Sequence, residues 1–322
     1  MTAPALGTNA YVGMGKESSW GSVVSRTKFL EVNEESLDRV ESDIASPSLY
    51  RAGLHKNRIV QGPISAGGGI IFNPQYEGME MLLEAALGTT AVSSRPDITN
   101  AGSVYDWTFA LADANSKSLT LEVHRDIKSW AFHGSIVNSL QFTFGGPGDA
   151  LVVAADFICE DGEYIATVTP PTFSTSPLIT GAHAILTWGG GALDVENAQI
   201  VLSNNFDDGR RFIGSRYISQ PYRSGKIAVT GRFTTEFQSV AQYDDFIAAT
   251  RRALRIVATH PTAIIGSYYY KLQIDVAVAR LTAVSPKIGS GGRVRVDIPF
   301  ISYRDDSNQE IVVSTRGTVS SV

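Results

Sequence analysis

Residues able to bind metals or act as nucleophiles are few in this sequence and widely spaced. Its five histidines include no i, i+4 pair and no adjacent carboxylate of the kind that a zinc protease needs; they are His55, His124, His133, His183 and His260. His124 and His133 could meet across a hairpin, but separate strand histidines are the favoured interpretation. The single cysteine, Cys159, lies in an alternating strand pattern, which favours a core position over a nucleophile. We therefore predict no catalytic residue, no metal ligand and no cofactor, and a protein that is not an enzyme.

Three further kinds of motif have both a chemical and a structural interpretation. The glycine triplets at 67–69 and 189–191 lack the Lys-Ser/Thr of a phosphate-binding loop, which favours turns or bulges. The acidic stretches 207–209 and 305–308 lack the regular oxygen-ligand spacing of a calcium loop, which favours hairpin tips. The tyrosine triplet 268–270 could stack a base or a sugar, but strand alternation places its middle residue on the opposite face. We expect these rings to pack on a neighbouring strand.

Composition and charge exclude several classes of protein. The chain has 322 residues, of which 43% are hydrophobic and 18% charged, so it can bury the cores of two domains and is not disordered. No apolar run is long enough to span a bilayer as a helix, no basic-then-apolar signal peptide opens the chain, and one cysteine allows no internal disulfide. A pI near 5.6 argues against binding nucleic acid by net charge. Residues 1–177 hold 11 Lys and Arg against 20 Asp and Glu, whereas residues 178–322 hold 16 against 12.

Alternating polar and apolar residues predict a protein made mainly of strands. The predicted strands are 118–124, 136–144, 151–159, 199–202, 226–233, 268–278 and 293–301, separated by turn residues at 145–149, 204–209 and 289–292. Apolar residues at helical spacing predict two helices, 76–87 and 240–257, each covering a sheet. Arg251, Arg252 and Arg255 would lie near the C-terminal end of the second helix, where the helix dipole favours cations.

The order of predicted elements occurs twice, on either side of a Pro/Ser/Thr-rich linker at 167–177. Residues 58–63 resemble residues 216–221, and each stretch precedes a glycine-containing strand, ending at Phe72 or Phe233, and then a helix. The alternating strands that open at Ser118 and Tyr268 follow, and the repeats close with the strands of Phe157 and Phe300. The first copy has more residues, 88–117, between its helix and the next strand.

At several of these places the chain resembles phage tail tube proteins, the major tube subunits of long-tailed bacterial viruses. The resemblance is carried by residues 11–21 (YVGMGKESSWG), 28–32 (KFLEV), 58–63 and 82–88, and by the strand-rich C-terminal part. It implies a β-sandwich unit with a flanking helix. It also implies rings of six units whose inner sheets pair into a continuous barrel, and stacking of those rings through N-terminal arms and long loops. It carries over no catalytic residue.

The expected fold is mainly β, with two tandem tail-tube-type β-sandwich units, each with one flanking α-helix, whose inner sheets join into a multi-subunit β-barrel. Residues 1–166 would form the first unit, with an arm at about 1–30 and a long loop at about 88–117, and residues 178–322 the second. If both halves are tube units, three chains form a pseudo-hexameric ring, which we favour over a hexamer in which one half decorates the exterior. Four inner strands per unit give about 24 strands and a barrel roughly 48 Å across, wide enough for duplex DNA.

The resemblance implies a structural virion protein of the phage tail, made in the bacterial host cytoplasm, through which DNA passes into the host without specific binding. Its main partner would be itself, with tail terminator, tape measure and baseplate or distal tail proteins implied by the family, and no membrane insertion. We expect the acidic half to meet the basic half of the next subunit, and residues 1–30 and 88–117 to join successive rings. The alternatives are a carbohydrate- or surface-binding β-sandwich module and the inner tube of a contractile injection apparatus.

Overall fold

A computed structural model describes residues 6–47, 57–94, 104–112, 117–166, 168–286 and 293–321. The strands are β1 (Tyr11–Lys16), β2 (Lys28–Leu30), β3 (Val32–Glu35), β4 (Asp38–Ser46), β5 (Asn57–Phe72), β6 (Gly88–Ser94), β7 (Tyr105–Leu111), β8 (Leu119–Arg125), β9 (Lys128–Phe144), β10 (Val152–Cys159), β11 (Asp161–Ile165), β12 (Ala184–Trp188), β13 (Gly191–Leu193), β14 (Val195–Ser203), β15 (Ala228–Glu236), β16 (Arg251–Ile265), β17 (Tyr268–Leu281), β18 (Arg295–Ser302) and β19 (Val312–Gly317). The α-helices are α1 (Glu80–Leu87) and α2 (Ala241–Ile247), and short 3-10 turns occur at Gly7–Asn9 and Gly181–His183. The mainly β prediction is confirmed.

Each run predicted from alternation coincides with an observed strand, because alternate side chains on these strands point into the core. Along β10, for example, Val153, Ala155, Phe157 and Cys159 are buried, and Asp156 between them is exposed. The runs at 118–124, 136–144, 151–159, 199–202, 226–233, 268–278 and 293–301 correspond to β8, β9, β10, β14, β15, β17 and β18.

The first predicted helix is confirmed in its C-terminal part. Residues 76–79 precede the helix, α1 begins at Glu80, and it ends where Gly88 takes a left-handed conformation with φ 97°. All eight residues of α1 are buried, which fits a helix enclosed on every side rather than one that only covers a sheet.

The second predicted helix is largely wrong. It ends at Ile247, Ala249 has φ 52°, and residues 251–258 run as part of β16. Leu254, Ile256 and Ala258 are buried there, a period of two that the helical interpretation overlooked. The three arginines therefore lie on a strand, where Arg252 binds Asp245 on α2 through bonds of 2.6 and 2.8 Å.

In the first half, strands pair antiparallel in the order β4–β5–β10–β9, with β3 beside the C-terminal end of β5. A second group pairs as β2–β1–β8–β9–β11, using the N-terminal part of β9. β9 thus passes from one sheet into the other, and the strands form a sandwich around α1 and the core.

The second half repeats this pairing. One group is ordered β14–β15–β18–β17, the counterpart of β4–β5–β10–β9. The other is ordered β13–β12–β16–β17–β19, the counterpart of β2–β1–β8–β9–β11. By this order β8 corresponds to β16 and β9 to β17. The predicted match of the strand at Ser118, which is β8, with the strand at Tyr268, which is β17, is therefore wrong by one strand. Residues 216–221 lie in the connection between β14 and β15, whereas residues 58–63 lie in β5.

Two segments expected to project from the first unit are built into the sheets. Within 88–117, β6 and β7 form a hairpin whose second strand pairs with β19, so most of the described residues of the predicted long loop are strand. Within 1–30, β1 is buried and lies between β2 and β8, so this stretch is part of the sandwich rather than an arm. The predicted turn at 289–292 and His55 lie outside the described residues.

Residues 168–177 of the predicted linker form no strand and contact the first half; residue 167 lies outside the described part. The Tyr11 hydroxyl donates to the Thr169 carbonyl at 2.9 Å, and the Tyr76 amide donates to that of Pro177 at 3.0 Å. One cluster of buried apolar residues extends through both halves, from Val12 to Val313. The halves therefore pack as one body.

Candidate assembly surfaces

The two halves are joined by backbone hydrogen bonding between β9 and β14. The pairing runs from Phe144 opposite Ala198 to Ser139 opposite Ser203. It makes one antiparallel sheet in the order β4–β5–β10–β9–β14–β15–β18–β17, whose first four strands come from one half and last four from the other. We call this the joint sheet.

The face of the joint sheet opposite the core is long, open and mostly uncharged. One row of cross-strand neighbours crosses it through Ile71, Ala154, Gln141, Val201, Thr230 and Ile301. The charged residues on this face are Glu34, Asp38 and Asp156 in the first half, and Arg232, Glu236, Arg280, Arg295 and Asp297 in the second. The charges on the open face are therefore scattered and of both signs.

Polar contacts reinforce the joint between the halves, and arginines of the second half supply most of them. Arg211 donates to the Ile64 carbonyl at 2.7 Å, and Arg216 donates to the Gly62 carbonyl at 2.8 Å. In three further pairs an arginine of the second half again donates to an acceptor of the first half. These pairs are Arg216 with Glu41, Arg223 with the Ala112 carbonyl, and Arg316 with both carboxylate oxygens of Asp106. The charge asymmetry of the sequence is thus used within one chain.

Asn204, just after β14, occupies the centre of this joint and is completely buried. Its amide nitrogen donates to the carbonyls of Ala86 and Val137, both at 2.9 Å. Its amide oxygen accepts from Arg223 at 2.9 Å. One side chain therefore ties the end of α1, strand β9 and the β14–β15 connection together.

The two ends of the joint sheet differ, and the first end has strand edges open to pairing. β3 and β4 pair only with β5 in the described part of the chain. At the other end β17 pairs with β18 through residues 279–281 and with β16 on the other side of Ala279 and Arg280, and the next residues, 282–286, form no strand. The corresponding part of β9 is paired on both sides, to β10 and to β14.

The residues considered for chemistry occupy structural positions. His124 stacks on Tyr11 with ring centroids 4.8 Å apart and bonds Ser129, while His133 lies opposite Asp161, so the two histidines do not meet. Cys159 is buried, which raises the pKa of its thiol to about 12 and confirms its core position. Among the described residues no three His, Cys, Asp or Glu side chains form a group able to hold a metal ion.

The glycine, acidic and tyrosine motifs are also structural. Gly189 and Gly190, with φ 61° and 87°, make the turn between β12 and β13, as predicted. The triplet at 67–69 lies inside β5, where a Cβ on Gly68 would be 2.2 Å from the Ser36 carbonyl oxygen. The acidic stretches at 207–209 and 305–308 form turns within longer connections rather than hairpin tips. Tyr270 packs 5.9 Å from Tyr76.

Two clusters gave no signal in the sequence. Glu17 is buried and accepts hydrogen bonds from Ser118, Thr120 and the Gly134 amide, which fixes the segment after β1. Tyr76, His183 and His260 meet Tyr270 where the two halves touch. Each cluster brings together residues that are more than 70 positions apart in the sequence, so no local spacing pattern could predict it.

These features define a β-sandwich protein with an extended sheet surface and strand edges at which another chain can add. The chain belongs to the phage tail tube protein family, whose model it matches over residues 7–302. The resemblance inferred from residues 11–21, 28–32, 58–63 and 82–88 is thereby confirmed, and with it the assignment to structural proteins of the bacteriophage virion tail. A search of curated proteins finds no match. No helix in the described residues is long and apolar enough to cross a membrane.

Proposed function

We propose that this protein is a major tail tube subunit that assembles into stacked rings around a DNA channel. The observation that carries the proposal is the joint sheet, because its eight strands span both halves and its β3 and β4 edge is free to add a strand. The protein would be made in the bacterial host cytoplasm and incorporated into the virion tail. Tail terminator, tape measure and baseplate or distal tail proteins are the further partners.

The repeated pairing order supports two tandem tube units, residues 1–166 and 178–322, connected by the linker at 167–177. Every strand of the second half has a counterpart in the first, and β3, β6 and β7 are the additions of the first. A chain with two units needs three copies to supply six. Three joint sheets of eight strands give about 24 strands and a barrel roughly 48 Å across, so we favour a trimeric pseudo-hexamer.

The ring would close by repeating the joint seen within the chain. The β9–β14 pairing links the units of one chain. Applied once more, the same relation places residues 282–286 of one copy beside β3 and β4 of the next. Pairing there would satisfy open backbone groups at both edges, as strand addition does in other proteins.

The open face of the joint sheet would line the channel. DNA carries about one negative charge per 1.7 Å, so a basic wall would retain it by counterion release. A face whose centre is Gln141, Ala154, Val201 and Thr230, with scattered charges of both signs around it, offers no such continuous basic track. DNA could then slide past without specific binding.

Electron microscopy of the purified full-length chain tests this proposal. We expect tubes built of stacked rings, with three-fold symmetry and a channel wide enough for duplex DNA. Rings with true six-fold symmetry of whole chains would refute the trimer and keep the tube. A monomer or a discrete soluble oligomer at every concentration would refute the tube itself and favour the surface-binding module.

A further inference from the structure

Helices α1 and α2 occupy equivalent places in the two halves, 161 residues apart in the sequence. Met79 and Val240 precede them with similar backbone angles, φ −98°, ψ 0° and φ −88°, ψ 0°. Gly88 and Ala249 follow them with positive φ, 97° and 52°. The helices can therefore be compared residue by residue.

Four equivalent positions carry an apolar stripe that is buried on α1 and exposed on and just before α2. The pairs, with exposed fractions, are Tyr76 (0%) and Phe237 (40%), Met79 (1%) and Val240 (57%), Leu82 (1%) and Tyr243 (43%), and Ala86 (0%) and Ile247 (64%). We call Phe237, Val240, Tyr243 and Ile247 the α2 stripe. Four large apolar side chains exposed together at helical spacing are typical of a surface that another protein covers.

The second half of the same chain provides part of the cover over the α1 stripe. Tyr76 packs against Tyr270 and His260, each with ring centroids 5.9 Å away, at the end of the β16–β17 hairpin. Asn204 bonds the Ala86 carbonyl from the end of β14. The second half thus covers the α1 stripe in part, at Tyr76 and Ala86, and strands β6, β7 and β9 of the first half also pack on α1.

The first half carries the counterpart of that hairpin, β8–β9, and its end is exposed. Ile127 at the turn is 63% exposed and Tyr164, on the adjoining β11, is 51% exposed. Trp130 lies beside Tyr164 with ring centroids 6.4 Å apart, under the guanidinium of Arg125 at 5.0 Å. We call Ile127, Trp130 and Tyr164 the tip patch. Aromatic rings with an arginine are the composition that protein interfaces favour.

We propose that the α2 stripe of one copy packs against the tip patch of the next copy, reproducing between chains the contact that the β16–β17 hairpin makes with Tyr76 within the chain. This rests on the proposed ring, since the same relation that pairs β9 with β14 would bring these surfaces together. The contact is head-to-tail and closes when the ring closes. Asp244 in the first turn of α2 and Lys128 beside Tyr164 are both exposed and add opposite charges to the two surfaces.

A matched pair of variants measures the contribution of the stripe to assembly. Ile247→Asp places a charge in the α2 stripe, whereas Ile185→Asp makes the same change on the outer face of β12, where Ile185 is 61% exposed. Both residues are exposed, so both variants should keep the circular dichroism and melting temperature of the wild type. We expect Ile247→Asp to raise the concentration needed for assembly at least tenfold and Ile185→Asp to leave it within about twofold.

Cross-linking then identifies the occupant of the stripe. Cys159 is buried, so introduced surface thiols react selectively. A chain with Ile247→Cys, mixed with one carrying Ile127→Cys and treated with a short bis-maleimide, should give a covalent dimer only in the mixture, and Ile185→Cys with Ile127→Cys should give none. Tubes without the first cross-link would overturn this inference and leave the proposed tube intact. A wild-type chain that stays monomeric at every concentration would overturn both.

Discussion

Asn204 offers the most direct test of the joint between the halves. Replacing it with alanine removes two hydrogen bonds to the Ala86 and Val137 carbonyls and one from Arg223, all at 2.9 Å. The site is fully buried, so water cannot readily replace the lost partners. Each bond contributes about 1 kcal/mol net, and a buried group left without a partner costs about 1–3 kcal/mol. We therefore expect Asn204→Ala to lower the free energy of unfolding by about 2–4 kcal/mol.

Urea unfolding of the unassembled chain, followed by circular dichroism, measures that loss. Asn197→Ala is the matched control, because Asn197 lies on β14, the strand that Asn204 follows, but is exposed and accepts one bond, from Thr234 at 3.0 Å. We expect the control to lose less than about 0.5 kcal/mol. Asn204→Asp keeps the size of the side chain but turns an acceptor toward two carbonyl oxygens, so it should also destabilise.

Equal losses in Asn204→Ala and Asn197→Ala would show that the buried bridge does not hold the halves together. A stable Asn204→Asp variant would show that shape, rather than donation to the two carbonyls, is what the site requires. Either result would remove the basis for treating the β9–β14 joint as a firmly bonded unit. Imaging of the same variants should show tube formation falling in the order of their stabilities.

Three further predictions concern stability and reactivity. Burial raises the pKa of the Glu80 carboxyl above its ordinary value of 4.5, so the folded state binds the carboxyl proton more tightly than the unfolded state does. The folded state should therefore lose stability as the pH rises above 4.5. Glu80→Gln should remove this loss, which would be seen as a smaller difference between the urea midpoints at pH 4 and pH 7. Ala249→Gly should stabilise the fold by about 0.5–1 kcal/mol, because glycine adopts the left-handed conformation of this position without the strain that alanine has there. Gly88→Ala should destabilise the fold for the converse reason, and urea unfolding measures both changes. Changes of the opposite sign would contradict the equivalence of the two helix ends. The Cys159 thiol should not react with a chromogenic disulfide at pH 8 until urea unfolds the chain, and reaction of the folded protein would show that the site opens.

Strands and their order could be predicted from the sequence because burial on one face imposes a period of two on each strand separately. The 240–257 helix failed for the same local reason. Leu254 and Val257 fall on a helical stripe when read with residues 240–247, yet the chain reverses at Ala249 and buries Leu254 and Ile256 as a strand. The left-handed conformation of Ala249 marks the point where the chain leaves the helix for β16. Because alanine is not typical of that conformation, the sequence does not indicate the reversal.

The assembly surfaces could be predicted only in kind. Family resemblance and edge strands pointed to a ring, but the joint depends on Asn204 meeting Ala86 and on β9 meeting β14, contacts made across about 50–120 residues of chain. Such contacts carry no local period. The exposure of Ile247 could not be predicted either. Apolar residues have the same helical spacing on a buried face and on an exposed face, and the sequence does not show which other element packs on that face.

A tube subunit must stay dispersed before it meets the growing tube, and the two ends of the joint sheet resist pairing with another sheet in different ways. β4 is a long edge, but Asp38, Arg39, Glu41 and Asp43 give it alternating charges that oppose casual pairing with another sheet. At the other edge the residues after Leu281 form no strand, and Pro286 lacks the amide that a ladder needs. Joining the proposed edges would therefore require ordering of residues 282–286, a cost that a lone pair of chains bears without the stabilisation of a closed ring. On this reasoning assembly should show a concentration threshold and a lag, and fragments of tube added as seeds should abolish the lag.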